Sequence, residues 1–292
     1  MRKTARERFS LVSLVIPNWN GKHFLDDCLG TLLKQDYPNF EIIMADNGST
    51  DGSAGYVRKK FPSVRIVENG KNLGFSGGVN SGIRVARGEY IVILNNDMIF
   101  HRKDCISELV KTAESDESIG IVGAMLLDAL EPKRIQNVEG TRLRGVLDLL
   151  EWFGKRDEYE EDRRQYKELI EVEADNGLIK REVFDKIGLY DEGFFFSYEE
   201  LDFGYRARQV GYRVVVNPKA KMWHVGAGTS NSQFLRFQYY RYWARLRFAM
   251  KNFRGLKRIS FILVNILAAP LLILRAAGKM LSRKLHSEKS SS

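Results

Sequence analysis

The sequence predicts an α/β fold in which a mostly parallel, Rossmann-like sheet is flanked by helices and followed by a helical tail. In the N-terminal third, short apolar runs rich in β-branched residues recur, and each stops at a loop of Gly, Asn or Asp. Segments with helical spacing separate these runs. Strands that alternate with helices build parallel sheets, and ligands bind beyond the carboxyl ends of such strands. We therefore expect the polar loops to meet at one edge of the sheet.

Three β-loop-helix units come first along the chain. Their strands are predicted at 12–16, 41–45 and 64–67. The first helix is predicted at 24–33 and the second directly after the loop 46–53. The third is predicted to follow the loop 72–80 and to run through Val85. The loop 46–53 is also compatible with a plain turn, because Asn-Gly and Asp-Gly are turn dipeptides. The repeated order of strand, loop and helix is typical of a nucleotide-binding half.

The fourth predicted strand ends at a carboxylate. The four apolar residues 91–94 predict a strand buried on both faces, and they are followed by Asn95, Asn96 and Asp97. At the carboxyl end of a parallel strand, Asp97 would lie where a phosphate-bound Mg²⁺ or Mn²⁺ needs an oxygen ligand. Asp also favours helix caps and turns, so a structural role for Asp97 is the alternative.

An acidic group follows an aromatic run in the second half of the chain. On a helix, Glu199 and Asp202 are i,i+3 neighbours that share a face, and Glu200 projects elsewhere. The aromatic residues 194–196 would lower the local dielectric and raise a carboxylate pKa toward the range of a general base. The alternative is structural, because carboxylates are favourable at the start of a helix.

Six motifs in this order resemble those of glycosyltransferase family 2, the inverting, nucleotide-sugar-dependent class with a GT-A fold. Within that family the sequence is similar to the rhamnosyltransferase-like branch that builds surface polysaccharides. The motifs cover roughly residues 10–230, and the ordered set is more specific than any single member. They are Ile16-Pro17-Asn18-Trp19-Asn20, Asp46-Asn47-Gly48-Ser49-Thr50-Asp51, Asn72-Leu73-Gly74-Phe75-Ser76-Gly77-Gly78, Leu94-Asn95-Asn96-Asp97, Phe196-Ser197-Tyr198-Glu199-Glu200-Leu201-Asp202 and His224-Val225-Gly226-Ala227-Gly228.

The resemblance implies a donor site at the first four motifs. Asp46 would accept a hydrogen bond from the uracil or thymine imide, and Pro17 and Asn18 would line the base pocket. The segment 174–179 would lie beneath the sugar. The residues implied to contact the nucleotide sugar are Pro17, Asn18, Asn20, Asp46, Asn47, Gly48, Asn72, Gly74, Phe75, Gly78, Asn95, Asn96 and Asn176.

The same resemblance implies a metal site and a general base. Asp97 and His224 would hold Mn²⁺ or Mg²⁺, and Asn95 stands where many relatives carry the first carboxylate of an Asp-any-Asp motif. A lone His is more often structural, and that alternative stays open for His224. Glu200 takes the position of the general base, where Asp is commoner; the predicted catalytic group is Glu199, Glu200 and Asp202.

Composition bounds the domain organisation and the compartment. A chain of 292 residues with 44% hydrophobic content is long enough for one large α/β domain and an appendage. We predict a catalytic domain at 1–233, with a nucleotide-sugar half at 1–100 and an acceptor half at 101–233, and a tail at 234–292. Two cysteines are too few for a disulfide framework, and no signal peptide is evident, so we expect a reducing, cytoplasmic setting.

The positive charge of the chain is concentrated in the tail. From Arg236 onward there are 13 Lys or Arg and one acid, Glu288, whereas the preceding residues include 33 basic and 36 acidic ones. Residues 234–254 alternate aromatic with basic side chains, and the sixteen residues 259–274 carry no charge. A helix of that length reaches roughly 24 Å, short of a hydrocarbon core of about 30 Å.

We therefore expect a peripheral or C-terminally anchored tail, with an in-plane or partly inserted helix whose basic residues contact anionic lipid. The alternative is a helix packed on the catalytic domain or on a second copy of the chain, so homo-oligomerisation stays open. An uncharged run between basic flanks favours a membrane over nucleic acid, and no nucleic-acid partner is predicted.

The predicted function is metal-assisted transfer of a sugar from a UDP- or dTDP-linked donor to a hydroxyl of a lipid-linked or polysaccharide acceptor. The predicted location is the cytoplasmic side of the cell membrane. One alternative is transfer onto a polyprenyl phosphate, whose ionised oxygen needs no base. The other is a catalytically silent scaffold that binds nucleotide sugars.

Overall fold

The structure is a computed structural model that describes residues 9–129, 135–137, 170–171, 177–226, 234–267 and 269–270. The described residues form two compact units. The first contains the described residues up to 226, except 196–198. The second contains residues 196–198 and the described residues from Phe234 onward. The predicted domain boundary between residues 233 and 234 stays a prediction.

One sheet organises the first unit. Its strands are β1 (Val12–Asn18), β2 (Phe40–Asp46), β3 (Val64–Glu68), β4 (Tyr90–Ile93), β5 (Met98–Phe100), β6 (Ile119–Asp128), β7 (Ile135–Asn137), β8 (Ile170–Glu171), β9 (Leu178–Lys180) and β10 (Arg213–His224). The strand order is β3-β2-β1-β4-β9-β6-β10-β5, with β7 paired to β6 and β8 paired to β10.

Most strands of this sheet run in one direction, as the sequence predicts. β1 to β4 are parallel, β6 and β10 are parallel, and the single strand β9 lies antiparallel between β4 and β6. Because β9 runs antiparallel to both β4 and β6, β6 and its parallel partner β10 run the same way as β1 to β4. Their carboxyl ends therefore lie at one edge, where Asn18 of β1 pairs in register with Asp46 of β2.

The helices follow the strands in the predicted order. They are α1 (Leu25–Leu32), preceded by a short 3-10 helix (Lys22–Phe24), α2 (Ser53–Lys60), α3 (Gly74–Val85), α4 (Cys105–Glu114), α5 (Arg181–Ile187), α6 (Glu199–Gln209) and α7 (Phe234–Asn252). Residues 255–267 are also helical. The predicted helix 24–33 matches α1 to within one residue at each end, and the predicted end of α3 at Val85 is confirmed. The start of α3 was predicted wrongly, because the helix begins at Gly74, inside the segment 72–80 that was predicted as a loop.

Both faces of the sheet are buried by apolar layers. Along β1 successive side chains point to opposite faces, so Leu14 and Ile16 pack in one cluster with Leu29 of α1. Val15 points the other way and packs in a second cluster with Ile83 of α3. Burial on both faces explains why the strands read as continuous apolar runs.

The run 212–216 predicts a strand that a short connection joins to His224. Strand β10 is longer than this prediction. Its pairing with β6 shifts register between Asn217 and Lys221 and then continues to His224. A bulge of this kind absorbs extra residues without ending the strand. His224 is therefore the last residue of a strand and does not follow it through a separate connection.

The second unit contains α7 and the helical residues 255–267. The two helical segments share buried side chains, because Phe253 packs edge-on against both Phe248 and Phe261 at ring distances of 5.6 and 5.3 Å. Within the described residues, no helix combines the length and the apolar character that crossing a bilayer requires. The predicted uncharged segment 259–274 extends past residue 270, and its last residues lie outside the described part.

Candidate active site

The donor end of the site is built on the carboxyl ends of β1 and β2 and on the residues that follow β4. Asn18 is its centre: its Nδ2 donates to Asp46 Oδ1 at 3.2 Å and to Ser49 Oγ at 3.1 Å. Asn96 Nδ2 donates to Asn18 Oδ1 at 2.7 Å. Three motifs that are far apart in sequence are thus joined by side-chain hydrogen bonds, as expected for strands that end at one edge.

The loops after β1 and β2 are tied to each other. Asn20 has a left-handed backbone with φ of 52°, its N–H donates to Ser49 Oγ at 2.9 Å, and its Oδ1 accepts from Thr50 N at 2.7 Å. Asp46 Oδ2 accepts from Ser49 N at 3.0 Å. Gly48 has φ of 69°, which a side chain would strain. The loop 46–53 is therefore an organised turn that holds the Asp46 carboxylate.

Gly21 lies against the amide of Asn96. A Cβ on Gly21 would lie 2.0 Å from Asn96 Nδ2 and 2.7 Å from Asn18 Oδ1. Only glycine fits without displacing the hydrogen bond between these two amides. The sequence reasoning did not select Gly21, although its place directly after the Pro-Asn-Trp-Asn motif was a signal.

The start of α3 is held by Asn47. The Asn47 Nδ2 donates to the Gly74 carbonyl at 2.9 Å, and Gly78 lies so close that a Cβ there would be 2.7 Å from Asn47 Nδ2. Asn72 Oδ1 accepts from Gly74 N at 2.9 Å, and Phe75 N donates to the Phe195 carbonyl at 2.9 Å. These predicted donor residues thus have structural partners, and their contact with a nucleotide sugar stays a prediction.

Asp97 and His224 lie together at the carboxyl-end edge. Antiparallel pairing of β5 with β10 sets His224 opposite Met98, and the Val225 N–H donates to the Asp97 carbonyl at 3.2 Å. Asp97 Oδ1 is 3.3 Å from His224 Nε2, and Asp97 Oδ2 accepts from Gly226 N at 3.2 Å. The carboxylate is thereby fixed with one oxygen toward the imidazole.

This pair fits two positions on a divalent cation. Two cis ligand atoms about 2.1 Å from an octahedral ion are about 3.0 Å apart, close to the distance between Asp97 Oδ1 and His224 Nε2. No group of three or more His, Cys, Asp or Glu that could hold an ion occurs among the described residues. A cation at this pair would need further oxygens, and Mg²⁺-type ions commonly take them from substrate phosphates and water.

Asn95 contributes an amide where a second carboxylate would add charge. Its Nδ2 is 3.5 Å from His224 Nε2, so it lies beside the proposed metal ligands. Behind it, the Cys28 thiol contacts the Asn95 carbonyl at 3.9 Å, and burial raises the pKa of that thiol to about 12. The Cys28 side chain therefore stays neutral and adds no ligand charge.

The acidic group stands at the start of α6. The two residues before the helix, Ser197 and Tyr198, have left-handed backbones with φ of 69° and 70°. Glu199 and Asp202 are buried, at 6% and 0% exposure, while Glu200 is partly exposed. As predicted, Glu199 and Asp202 share one face of the helix and Glu200 lies on another. Glu200 is the carboxylate with access to solvent.

Burial gives the Glu199 carboxyl a higher pKa than an ordinary carboxyl has. Desolvation first, and then the charge of Glu200, raise the pKa of Glu199 well above its usual range. A hydrogen bond between the two side chains acts in the same direction, and Glu199 Oε2 is buried without a hydrogen-bond partner. Burial and the neighbouring Glu200 carboxylate therefore both favour the protonated form of Glu199.

Asp202 is committed to an ion pair inside the fold. Arg206, one turn later on α6, donates from Nε to Asp202 Oδ2 at 2.8 Å. The same guanidinium donates to the carbonyls of Ile187 and Leu189 at 2.6 and 2.9 Å. Asp202 thus serves the anchoring of α6, and a catalytic role for it stays a prediction. The i,i+4 spacing to Arg206 was the signal that the sequence reasoning overlooked.

The structure brings most predicted site residues to the edge described above. Pro17 pairs in register with Ala45 directly before Asn18 and Asp46. Asn176, predicted to lie beneath the sugar, falls outside the described residues, as do residues 227 and 228 of the motif that begins at His224. The fold and this edge define the class of α/β proteins that bind a nucleotide-type ligand beyond the ends of a parallel sheet.

The chain matches the model of glycosyl transferase family 2 over residues 13–188. That match covers more than half of the chain, so the chain belongs to glycosyl transferase family 2. The resemblance given by the sequence motifs is thereby confirmed. All the residues at the donor edge up to Asp97 lie inside the matched range, whereas Glu200 and His224 lie beyond it.

Curated relatives match only parts of their own length. GlyG, a glycosyltransferase of Streptococcus pneumoniae serotype 4, is 35% identical over 39% of this chain and 38% of its own. An N-acetylglucosaminyl-diphospho-decaprenol L-rhamnosyltransferase of Mycobacterium tuberculosis is 28% identical over 63% of this chain and 66% of its own. The chain spans between 24% and 60% of the length of GlyG and three other relatives.

Solved structures share the fold. The mannosyltransferase PcManGT from Pyrobaculum calidifontis, in complex with GDP-Man and Mn²⁺, has a TM-score of 0.60 at 18% identity and matches 95% of this chain and 76% of its own. The fragment TarS 1-349 of S. aureus has a TM-score of 0.55 at 14% identity and matches 84% of this chain and 66% of that fragment. The fold is therefore GT-A-like, as predicted.

Proposed function

We propose that this protein is an inverting glycosyltransferase that moves a sugar from a UDP- or dTDP-linked donor to a hydroxyl of a lipid-linked or polysaccharide acceptor. The observation that carries the proposal is the pairing of Asp97 and His224 at the edge that also holds Asp46. PcManGT was solved with GDP-Man and Mn²⁺, which supports a divalent cation here. The M. tuberculosis relative is named for a lipid-linked substrate, which supports that acceptor class.

Each residue at the donor edge has a role in this proposal. Asp46, held by Asn18 and the Ser49 N–H, accepts from the imide of the base. Asp97 and His224 hold Mn²⁺ or Mg²⁺. When bound, that cation neutralises the charge that grows on the departing nucleoside diphosphate. With a single carboxylate at the pair and Asn95 beside it, most of the ligand charge comes from Asp97.

Glu200 acts as the general base. It takes the proton of the acceptor hydroxyl while that oxygen forms a bond to the anomeric carbon, and the electrons of the breaking bond leave with the diphosphate. Its partial exposure gives an acceptor access to the carboxylate. In its protonated form, which burial favours, Glu199 would donate a hydrogen bond to Glu200 and add no second negative charge.

Hydrolysis of the donor tests this function without knowledge of the acceptor. A panel of UDP-, dTDP- and GDP-sugars is first screened with Mn²⁺ for thermal stabilisation, because a bound ligand raises stability by mass action. Hydrolysis of the stabilising donor is then measured in wild type, Glu200→Gln and the exposed control Glu117→Gln.

We expect Mn²⁺-dependent hydrolysis that Glu200→Gln lowers by about 10²-fold and Glu117→Gln leaves unchanged. Binding of a nucleotide sugar without any hydrolysis would instead favour the silent scaffold. Activity of Glu200→Gln on a polyprenyl phosphate would favour the alternative acceptor.

The second unit supports attachment to an anionic membrane at the cytoplasmic side. The helical residues 255–267 bury Phe261 and Asn265, at 3% and 0% exposure, on one side. Their exposed side is apolar and follows helical spacing: Leu256 83%, Ile259 54%, Leu263 54%, Ile266 53% and Leu267 76% exposed. An apolar stripe next to strongly basic sequence suits an in-plane helix on anionic lipid.

Exposed residues of α7 fit the same setting. Tyr239, Trp243 and Met250 are 59%, 50% and 52% exposed and share a helix face with the exposed Arg247 and Lys251. Amphipathic aromatic rings combined with basic residues are typical of the headgroup region of a bilayer. An experiment decides whether these exposed residues contact a membrane or a second copy of the chain.

Sedimentation with vesicles provides that experiment. The full chain, Leu263→Glu and the control Ser115→Glu are mixed at low salt with vesicles that contain anionic lipid. In the proposed membrane-bound state Leu263 is buried in the bilayer, and burying one Leu side chain contributes about 1.5–3 kcal/mol. Leu263→Glu loses this contribution, so its binding to vesicles should be at least about tenfold weaker. Equal binding by Leu263→Glu, or no binding by wild type, would contradict the membrane proposal; a concentration-dependent dimer lost in Leu263→Glu would assign the stripe to a second copy.

A further inference from the structure

One face of α3 is bonded to the chain segment that leads to α6. Ser76, Asn80 and Arg84 are spaced four residues apart, so they lie on one side of the helix. Ser76 Oγ donates to the Phe194 carbonyl at 2.8 Å, and Arg84 Nη2 donates to Glu192 Oε1 at 2.9 Å. The donor-side helix is thus connected to residues that immediately precede the acidic group.

Asn80 makes the most complete of these connections. Its Nδ2 donates to the Tyr190 carbonyl and to Glu192 Oε1, both at 2.9 Å, and its Oδ1 accepts from Tyr190 N at 3.1 Å. The side chain is 1% exposed. An amide that satisfies both the N–H and the carbonyl of one residue fixes the position and the orientation of that residue.

The ring of Tyr190 connects Asn80 to α6. Its ring stacks on Phe203 with a centroid distance of 4.6 Å and an interplanar angle of 15°. Phe203 is fully buried, lies one helical turn after Glu199 and also contacts Phe184 of α5 at 5.0 Å. The backbone of Tyr190 is therefore held by α3 while its ring supports the helix that carries Glu200.

The other anchor of α6 does not involve α3. Arg206 bonds the carbonyls of Ile187 and Leu189, which follow α5. These bonds hold the helix against its own preceding segment. The bonds between Asn80 and Tyr190 instead tie an anchor of α6 to the half that carries Asp46 and Asp97.

We propose that Asn80, acting through Tyr190 and Phe203, is a positioning residue that sets where the Glu200 carboxylate stands relative to the donor. The inference rests on the proposed function. A general base works only within hydrogen-bond reach of the proton that it takes, and a displacement of about 1 Å far from the reacting atoms can cost about 10²-fold in rate. The described hydrogen bonds of Asn80 reach Tyr190 and Glu192 and do not reach Glu200.

The test separates turnover from donor binding. Initial rates of donor hydrolysis are measured for wild type, Asn80→Ala and Tyr190→Leu, with kcat and the donor KM determined for each. Tyr190→Leu keeps both backbone bonds to Asn80 and removes the ring contacts with Phe203 and Phe184. The matched control is Arg84→Gln, because Arg84 bonds the same segment from the same face but its ion pair is exposed, at 56% and 48% for the two side chains.

We expect both variants to lower kcat by about tenfold or more, with the donor KM within about threefold of wild type, since the donor edge is untouched. Arg84→Gln should match wild type in both constants. Active-site titration by nucleotide binding corrects each kcat for the folded fraction. An unchanged kcat in either folded variant, or a loss confined to KM, would overturn the inference; absence of hydrolysis in wild type would instead refute the proposed function.

Discussion

Asp202→Asn distinguishes a structural carboxylate from a catalytic one within the acidic group. Asp202 is fully buried and pairs with Arg206, whose side chain is 19% exposed. Removing one partner of a buried ion pair costs about 3–5 kcal/mol because the other charge is left uncompensated. Arg206 keeps two carbonyl partners and some contact with solvent, so we expect the lower end, about 3 kcal/mol.

That loss has a measurable thermal consequence. For a chain of this size, about 3 kcal/mol corresponds to a fall in melting temperature of about 6–12 °C. Thermal and denaturant unfolding of Asp202→Asn are compared with Arg213→Gln, which breaks an exposed ion pair with Asp116 and should cost no more than about 1 kcal/mol. At temperatures well below its melting point, Asp202→Asn should hydrolyse the donor at nearly the wild-type rate, because Arg206 still bonds both carbonyls.

The opposite pattern would refute this reasoning. If Asp202→Asn kept wild-type stability but lost about 10²-fold in turnover, Asp202 would be the base, and its burial in this structure would have to open in the working enzyme.

Three further predictions concern the donor edge and the carboxyl pair. Asp97→Asn should abolish Mn²⁺-dependent binding of a nucleoside diphosphate, measured by calorimetry, while the melting temperature without ligand stays close to wild type; unchanged affinity would move the metal elsewhere. Gly21→Ala should displace the Asn96 amide and weaken nucleotide binding, and equal binding would show that the edge tolerates a side chain there. For Glu199, whose pKa is raised by burial, the unfolded chain ionises above about pH 4.5 while the folded carboxyl stays protonated, so wild-type stability falls as the pH rises toward the folded-state pKa. Glu199→Gln lacks that loss, so its melting temperature relative to wild type should rise from pH 5 to pH 8, and a pH-independent difference would contradict the raised pKa.

The sheet was predictable because each parallel strand carries its own signal. Burial on both faces gives apolar runs, and the polar residues that follow each run, such as Asp46 and Asp97, mark its carboxyl end. The antiparallel insertion of β9 between β4 and β6 was not predictable, since a three-residue strand has too little periodicity. The length of β10 was missed because the bulge contains Pro218 between polar neighbours, which reads as the end of a strand.

Helical spacing predicted the grouping of the acidic residues but not their burial. A period of 3.6 places Glu199 and Asp202 on one face, yet which face meets the core depends on packing against α5 and the Tyr190 segment. The partner of Asn80 is over a hundred residues away, so no local pattern could reveal it. The candidate ligand-binding residues were therefore easier to select than the residues that hold them in place.

The central claim is that Asp97 and His224 hold a divalent cation for a nucleoside diphosphate. Crystals of the full chain grown with Mn²⁺ and UDP, measured at the manganese absorption edge, test it directly. We expect one anomalous peak within about 2.3 Å of both Asp97 Oδ1 and His224 Nε2, with diphosphate oxygens completing the coordination. A well-ordered UDP whose Mn²⁺ peak lies away from these two side chains, or is absent, would contradict it.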